Sequence, residues 1–244
     1  MSAPEAHLAN LARMIDHSIL HPAYTDEDLR KNCAIALQYQ VAAVCVKPYA
    51  TKLAAELVNN SNVRVCAVIG FPHGNSAVDV KVFESAQVCR DGATEVDMVV
   101  NIGKALQQDW QYIEAEIRAV HDECKRHGAV LKVIFETDLI VKDRDKISLC
   151  EICSGLQVEF VKTSTGYGFV KGADGKYSYQ GATEHDIKLM RQYCAPQVRI
   201  KAAGGIRTLD QLLQVRQWGA TRAGATATQA ILEEAKKKIC GHLS

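Results

Sequence analysis

Eight apolar runs of strand length recur along the chain, each separated from the next by a stretch with helical spacing. They are "MIDHSIL" (14–20), "VAAVCVK" (41–47), "VRVCAVIGF" (63–71), "EVDMVVNI" (95–102), "AVLKVIFET" (129–137), "EFVKTST" (159–165), "VRIKAAGG" (198–205) and "ATRAGAT" (220–226). Strands that are apolar almost throughout, joined by helical crossovers, specify a parallel sheet covered by helices. Eight such units in 244 residues favour a closed (β/α)8 TIM barrel over an open doubly wound sheet. No linker or break in composition interrupts the pattern, so residues 1–244 are expected to form one barrel domain.

Local signals support the alternation. Thr25 and Asp28 in "TDED" and Thr183 in "TEHD" are N-cap candidates with acidic first turns. The run "SAVDVKVFESAQVCRDG" spaces its apolar residues at i, i+3 and i+4 and should end at Gly92. Residues 167–182, "YGFVKGADGKYSYQGA", are too many for an ordinary loop between strand and helix. Asp174-Gly175 lies between two aromatic, β-prone runs there, which predicts a hairpin insertion at the mouth where barrel active sites lie.

Composition excludes several classes. A formal net charge of +1 gives no electrostatic reason to expect nucleic acid or an anionic membrane surface. No apolar run approaches the roughly 20 residues of a membrane span, and "MSAPEAHLAN" lacks a signal-peptide core, so a cytoplasmic location is expected. The nine cysteines are scattered and odd in number. Cys45, Cys66, Cys89 and Cys194 sit in apolar sequence surroundings, as small hydrophobes do. Cys150 and Cys153 form one C-x-x-C without a second ligand pair, which fits a helical face better than zinc.

Alternate residues of a barrel strand face the lumen. Sending the large apolar residues to the helix side leaves Asp97, Val99 and Asn101 inward on the fourth strand and Lys132, Ile134 and Glu136 on the fifth. The same rule turns Lys162 and Ser164, Lys201 and Ala203, and Asp16 and Ser18 inward. One such lysine could pair or snorkel at the rim. Asp97, Lys132, Lys162 and Lys201 together on neighbouring strands read instead as a barrel active site. Lys162 and Lys201 lie on adjacent strands, and their repulsion, added to burial, should strip a proton from one amine. A neutral amine attacks carbonyls and forms a Schiff base, an electron sink for making or breaking a carbon–carbon bond, with Asp97 passing protons. Turns after the last three strands, "TSTG" (163–166), "AAGGI" (202–206) and "AGAT" (223–226), offer backbone N–H groups to a phosphate. The candidates there are Thr165, Gly166, Gly204, Gly205, Gly224 and Thr226.

The motifs "MIDHSIL", "EVDMVVNIG", "LKVIFET", "FVKTSTG" and "IKAAGGIR" resemble the deoxyribose-phosphate aldolases, in order and over nearly the whole chain. That resemblance implies a class I aldolase that reversibly cleaves 2-deoxy-D-ribose 5-phosphate to acetaldehyde and D-glyceraldehyde 3-phosphate, with no metal and no organic cofactor. It implies Lys162 as the Schiff-base residue, Lys201 as the lysine that tunes it, Asp97 as the proton shuttle, and Asp16 and Lys132 as supporting residues. The partners expected are small phosphorylated sugars and aldehydes, with a homodimer as the assembly considered. Two departures stand out: the last turn, "RAGATATQAIL", carries threonine where the family usually has serine, and the hairpin lengthens the loop after the Schiff-base strand. A metal-dependent barrel enzyme would need His and carboxylate ligands, yet His17, His21 and His73 show no ligand spacing with a third partner. A binding protein without catalysis would have no use for two repelling interior lysines.

Overall fold

A computed structural model describes residues 3–241. Its strands are β1 (Ile15–Ile19), β2 (Ala43–Val46), β3 (Arg64–Ile69), β4 (Glu95–Val99), β5 (Val130–Ile134), β6 (Phe160–Lys162), β7 (Val170–Lys171), β8 (Tyr177–Ser178), β9 (Arg199–Ala203) and β10 (Arg222–Ala225). Eight of them close into a parallel barrel in the order β1-β10-β9-β6-β5-β4-β3-β2, and β7 and β8 form a separate antiparallel hairpin. Each of the eight apolar runs holds one barrel strand.

The helix starts follow from their caps. Thr25 caps the helix Asp26–Tyr39 and Thr183 caps Glu184–Tyr193, each accepting a backbone N–H three residues on. Asp28 is not an N-cap. It is the third helical residue, and its carboxylate accepts the Thr25 N–H to complete a capping box. The helix Val78–Arg90 stops where expected, with Gly92 in the left-handed region at φ 104°.

The two faces of the strands separate by chemistry. Ile15, Val96, Met98, Leu131, Val133, Val161 and Ile200 point outward into one continuous core with the helices. Inside the barrel, Ala43, Cys45, Cys66 and Val68 of β2 and β3 make an apolar wall with Leu20. The interior charges come from the other six strands: Asp16 of β1, Glu95 and Asp97 of β4, Lys132 of β5, Lys162 of β6, Lys201 of β9 and Arg222 of β10. Outside, Lys81 joins two helices to the end of β4, with Nζ 2.7 Å from the Glu116 carboxylate and 2.8 Å from the Val99 carbonyl. Among the described residues no helix is long and apolar enough to cross a membrane.

Candidate active site

Register determines which interior side chains meet. Lys162 and Lys201 are direct partners on the adjacent parallel strands β6 and β9, and Asp97 faces Lys132 across β4 and β5. Side chains on neighbouring strands at one level start about 4.8 Å apart and point the same way. The result is a hub at Asp97. Its Oδ1 accepts from Lys132 Nζ at 2.8 Å. Its Oδ2 accepts from both Lys162 Nζ at 2.8 Å and Lys201 Nζ at 2.7 Å. The two lysines expected to repel therefore share one carboxylate oxygen.

Further ion pairs extend the hub through the barrel. Lys201 Nζ lies 2.5 Å from Asp16 Oδ2, and Lys132 Nζ lies 2.6 Å from Glu95 Oε2. Arg222 reaches Asp16 at 2.6 Å and Glu95 at 3.0 Å. Burial opposes every one of these charges, yet the partners win. Lys132 and Lys201 are held above the ordinary lysine range, despite burial, by Asp97 and Asp16 respectively, among other carboxylates. Asp97 is driven well below the usual carboxylate range, against burial, by Lys132, Lys162 and Lys201. Asp16 is lowered in the same way, chiefly by Lys201.

Sequence alternation missed Glu95 and Arg222. Both stand two residues before an inward position, so the same period of two would have found them. Cys66 departs from the apolar setting read for it: its thiol donates to Asp97 Oδ1 at 3.0 Å, and its sulfur accepts from Lys132 at 3.1 Å. Cys150 and Cys153 are buried on the helix Asp143–Gly155.

Lys162 lines a cavity of about 560 Å³ at the C-terminal ends of the strands. Asp16, Asp97, Lys132 and Lys201 lie behind it, each 1% exposed or less. All six candidates from the glycine turns, Thr165, Gly166, Gly204, Gly205, Gly224 and Thr226, line the same cavity. Gly166, Gly204 and Gly205 have φ of 84°, 91° and 84°, a region that L side chains enter at a cost. The sequence did not single out Arg207, Tyr167, Phe169 or Tyr179, which also line it. The place of Tyr167, Phe169 and Tyr179 depends on where the hairpin folds, and no local pattern encodes that. A larger hollow of about 820 Å³ opens beside Arg64 and Thr94, at the other mouth, and holds none of the candidates.

Two groups could in principle hold a metal: Cys45, Cys66 and Asp97, and Asp16, Cys66 and Glu95, with the donor atoms of each within 4.8 Å of one another. Ammonium and guanidinium groups already occupy the carboxylate oxygens of both sets, and a divalent cation would have to displace them. His17 is engaged elsewhere, with Thr228 at 2.8 Å and Asn32 at 2.9 Å.

Known proteins are similar to this chain. Residues 11–234 match the family described as DeoC/LacD family aldolase. The deoxyribose-phosphate aldolase of Rhodopirellula baltica is 43% identical over 230 residues, covering 94% of this chain and 91% of its own. That of Caldanaerobacter subterraneus is 40% identical over 242 residues, covering 99% and 100%. A solved deoxyribose phosphate aldolase from Aeropyrum pernix, described as tetrameric, superposes with a TM-score of 0.83 at 28% identity, covering 95% of this chain and 93% of that one. With its barrel, its buried lysine pair and these relatives, the chain belongs to the DeoC/LacD family of aldolases.

Proposed function

We propose that the protein cleaves 2-deoxy-D-ribose 5-phosphate reversibly to acetaldehyde and D-glyceraldehyde 3-phosphate through an imine on Lys162. One observation carries the reading: Lys162 Nζ faces a cavity rimmed by backbone N–H turns while sharing Asp97 Oδ2 with Lys201. The buried, ion-paired groups explain why this lysine can act as a nucleophile. In the hub these are three carboxylates (Asp16, Glu95, Asp97) and four buried cations (Lys132, Lys162, Lys201, Arg222), with the half-exposed Arg64 also touching Glu95 from outside. One positive charge is in excess. Lys132, Lys201 and Arg222 each pair with at least two carboxylates, whereas Lys162 touches one. Lys162 is thus the lysine of the hub held by the fewest carboxylates, and it is the one that lines the cavity.

The neutral amine attacks C1 of the open-chain sugar, and loss of water gives the iminium. Deprotonation of the C3 hydroxyl lets the C2–C3 bond break toward the iminium. Glyceraldehyde 3-phosphate leaves, an enamine remains, and protonation at C2 followed by hydrolysis releases acetaldehyde. Asp97, touching Lys162, relays protons directly or through water. Lys201 keeps Asp97 Oδ2 from binding Lys162 exclusively. Asp16 and Lys132 hold the hub in place. Thr165, Gly166, Gly204, Gly205, Gly224 and Thr226 receive the phosphate. Cys33, Cys45, Cys66, Cys89, Cys124, Cys150, Cys153 and Cys194 are all free thiols, which suits the reducing cytoplasm where we place the enzyme.

A coupled assay for glyceraldehyde 3-phosphate tests turnover, and two variants test its parts. Gly205→Asp would set a carboxylate where the phosphate should approach. It is expected to raise KM for the phosphorylated sugar far more than for unphosphorylated deoxyribose. Equal effects on both would reduce Gly205 to a turn residue. Lys201→Met removes one of the four buried cations, so three carboxylates then face three cations and Lys162 keeps its proton. Imine formation should be poor at neutral pH and recover in part as pH rises and the amine is freed. Wild-type and variant pH profiles that superimpose would refute the tuning role.

A further inference from the structure

Glu136 and Asp138, just past β5, grip the hairpin insertion at both ends. Glu136 is 1% exposed and has no ion-pair partner among the described residues. It adopts φ 57°, a left-handed conformation that a non-glycine residue takes only under constraint. Burial pushes its carboxyl above the usual carboxylate range. What it meets is the turn after β6. The Thr165 N–H donates to its carboxylate at 3.3 Å, the Thr165 hydroxyl donates to Oε2, and that hydroxyl accepts the Tyr167 N–H at 2.9 Å. The chain then passes directly over the carboxyl, since a Cβ on Gly168 would lie 2.6 Å from Glu136 Cδ.

Asp138 grips the returning end. It accepts from the N–H of Gln180 at 2.5 Å and of Gly181 at 3.0 Å. Gly181 is thereby pressed onto the next turn, where a Cβ would lie 2.5 Å from the Gly204 carbonyl oxygen. The Ala182 N–H donates to that same oxygen at 3.2 Å. Between the two grips, the rings of Phe169 and Tyr179 meet edge-on at 5.3 Å and wall the cavity.

We propose that Glu136 and Asp138 are positioning residues that set the phosphate-receiving end of the cavity, by fixing the hairpin so that the Thr165-Gly166 turn and Tyr179 close around it. The proposal rests on the aldolase reading of the cavity. It assigns the pair to recognition of the phosphorylated half of the substrate and leaves the lysine chemistry to the hub at Asp97. A cation in place of the Thr165 donors would hold a carboxylate as well, but it would not shape a backbone turn. Amide and hydroxyl donors aimed at one buried carboxyl do so because each costs free energy if left unpaired.

Three variants of the full chain test this. Glu136→Gln removes one acceptor oxygen, Gly168→Ala pushes the carboxyl from the other side, and Asp138→Ala, at a half-buried position, frees the returning end. Each is expected to raise KM for 2-deoxy-D-ribose 5-phosphate about tenfold or more, while borohydride trapping of acetaldehyde on Lys162 stays within about twofold of wild type. KM for unphosphorylated deoxyribose should also hold. The split separates positioning from general loosening of the fold, which would lower trapping and raise both KM values together. The proposal fails if KM for the sugar phosphate is unchanged in Gly168→Ala and Asp138→Ala, or if trapping falls in step with it. Wild-type trapping reports on the aldolase reading separately, so a failed clamp leaves that reading standing.

Discussion

Lys162→Ala should lose turnover on the order of 10⁶-fold, the scale seen when a covalent nucleophile is removed, with the barrel still folded. The second half of that expectation comes from the ion-pair geometry. Without Lys162, Asp97 still holds Lys132 at 2.8 Å and Lys201 at 2.7 Å. The three buried carboxylates then face three cations, so no charge is stranded. Circular dichroism and thermal melting should match wild type closely while the coupled assay reads nothing. A variant that retains measurable cleavage would mean that another amine carries the imine.

Asp97→Asn should behave in the opposite sense, failing in stability as well as in catalysis. It leaves Lys132, Lys162 and Lys201, all at most 2% exposed, without the carboxylate they share. Breaking a buried ion pair by removing one partner costs about 3–5 kcal/mol, which in a chain of this size corresponds to a fall in Tm of about 6–20 °C. The pH dependence follows. Because Asp97 is held well below the usual carboxylate range in the folded protein, its stabilising effect is complete above the unfolded value, about 3.9. That effect drains away as pH falls toward the folded value. The variant should therefore lose less stability than wild type on acidification. A melting temperature equal to wild type at neutral pH would show that Asp97 is a relay only, and that the hub does not depend on it.

The contrast between these variants shows what sequence could and could not supply. A period of two along each strand is enough to turn Asp97, Lys132, Lys162 and Lys201 inward, and the length and number of the apolar runs are enough to close the barrel. The same period reaches Glu95 and Arg222, but charges at strand starts look like rim residues until the register places them beside Asp16 and Lys132. Register also converts the expected repulsion of Lys162 and Lys201 into a contest for one oxygen of Asp97. Glycine turns marked the rim of the cavity, where we propose the phosphate binds, because their chemistry is local. Phe169 and Tyr179 are different: they reach the cavity only because Glu136 and Asp138, more than 25 residues earlier, hold the hairpin ends. Glu136 was legible as an inward residue and Thr165 as a turn residue, but their pairing was not.

The central claim is that a neutral Lys162 attacks the substrate aldehyde. Incubating the wild-type protein with acetaldehyde and borohydride, then digesting it and mapping the modified peptide by mass spectrometry, tests that claim most directly. A reduced two-carbon adduct is expected on Lys162 and absent from Lys162→Ala. An adduct on Lys201 or Lys132 in place of Lys162, or no adduct at all, would contradict it.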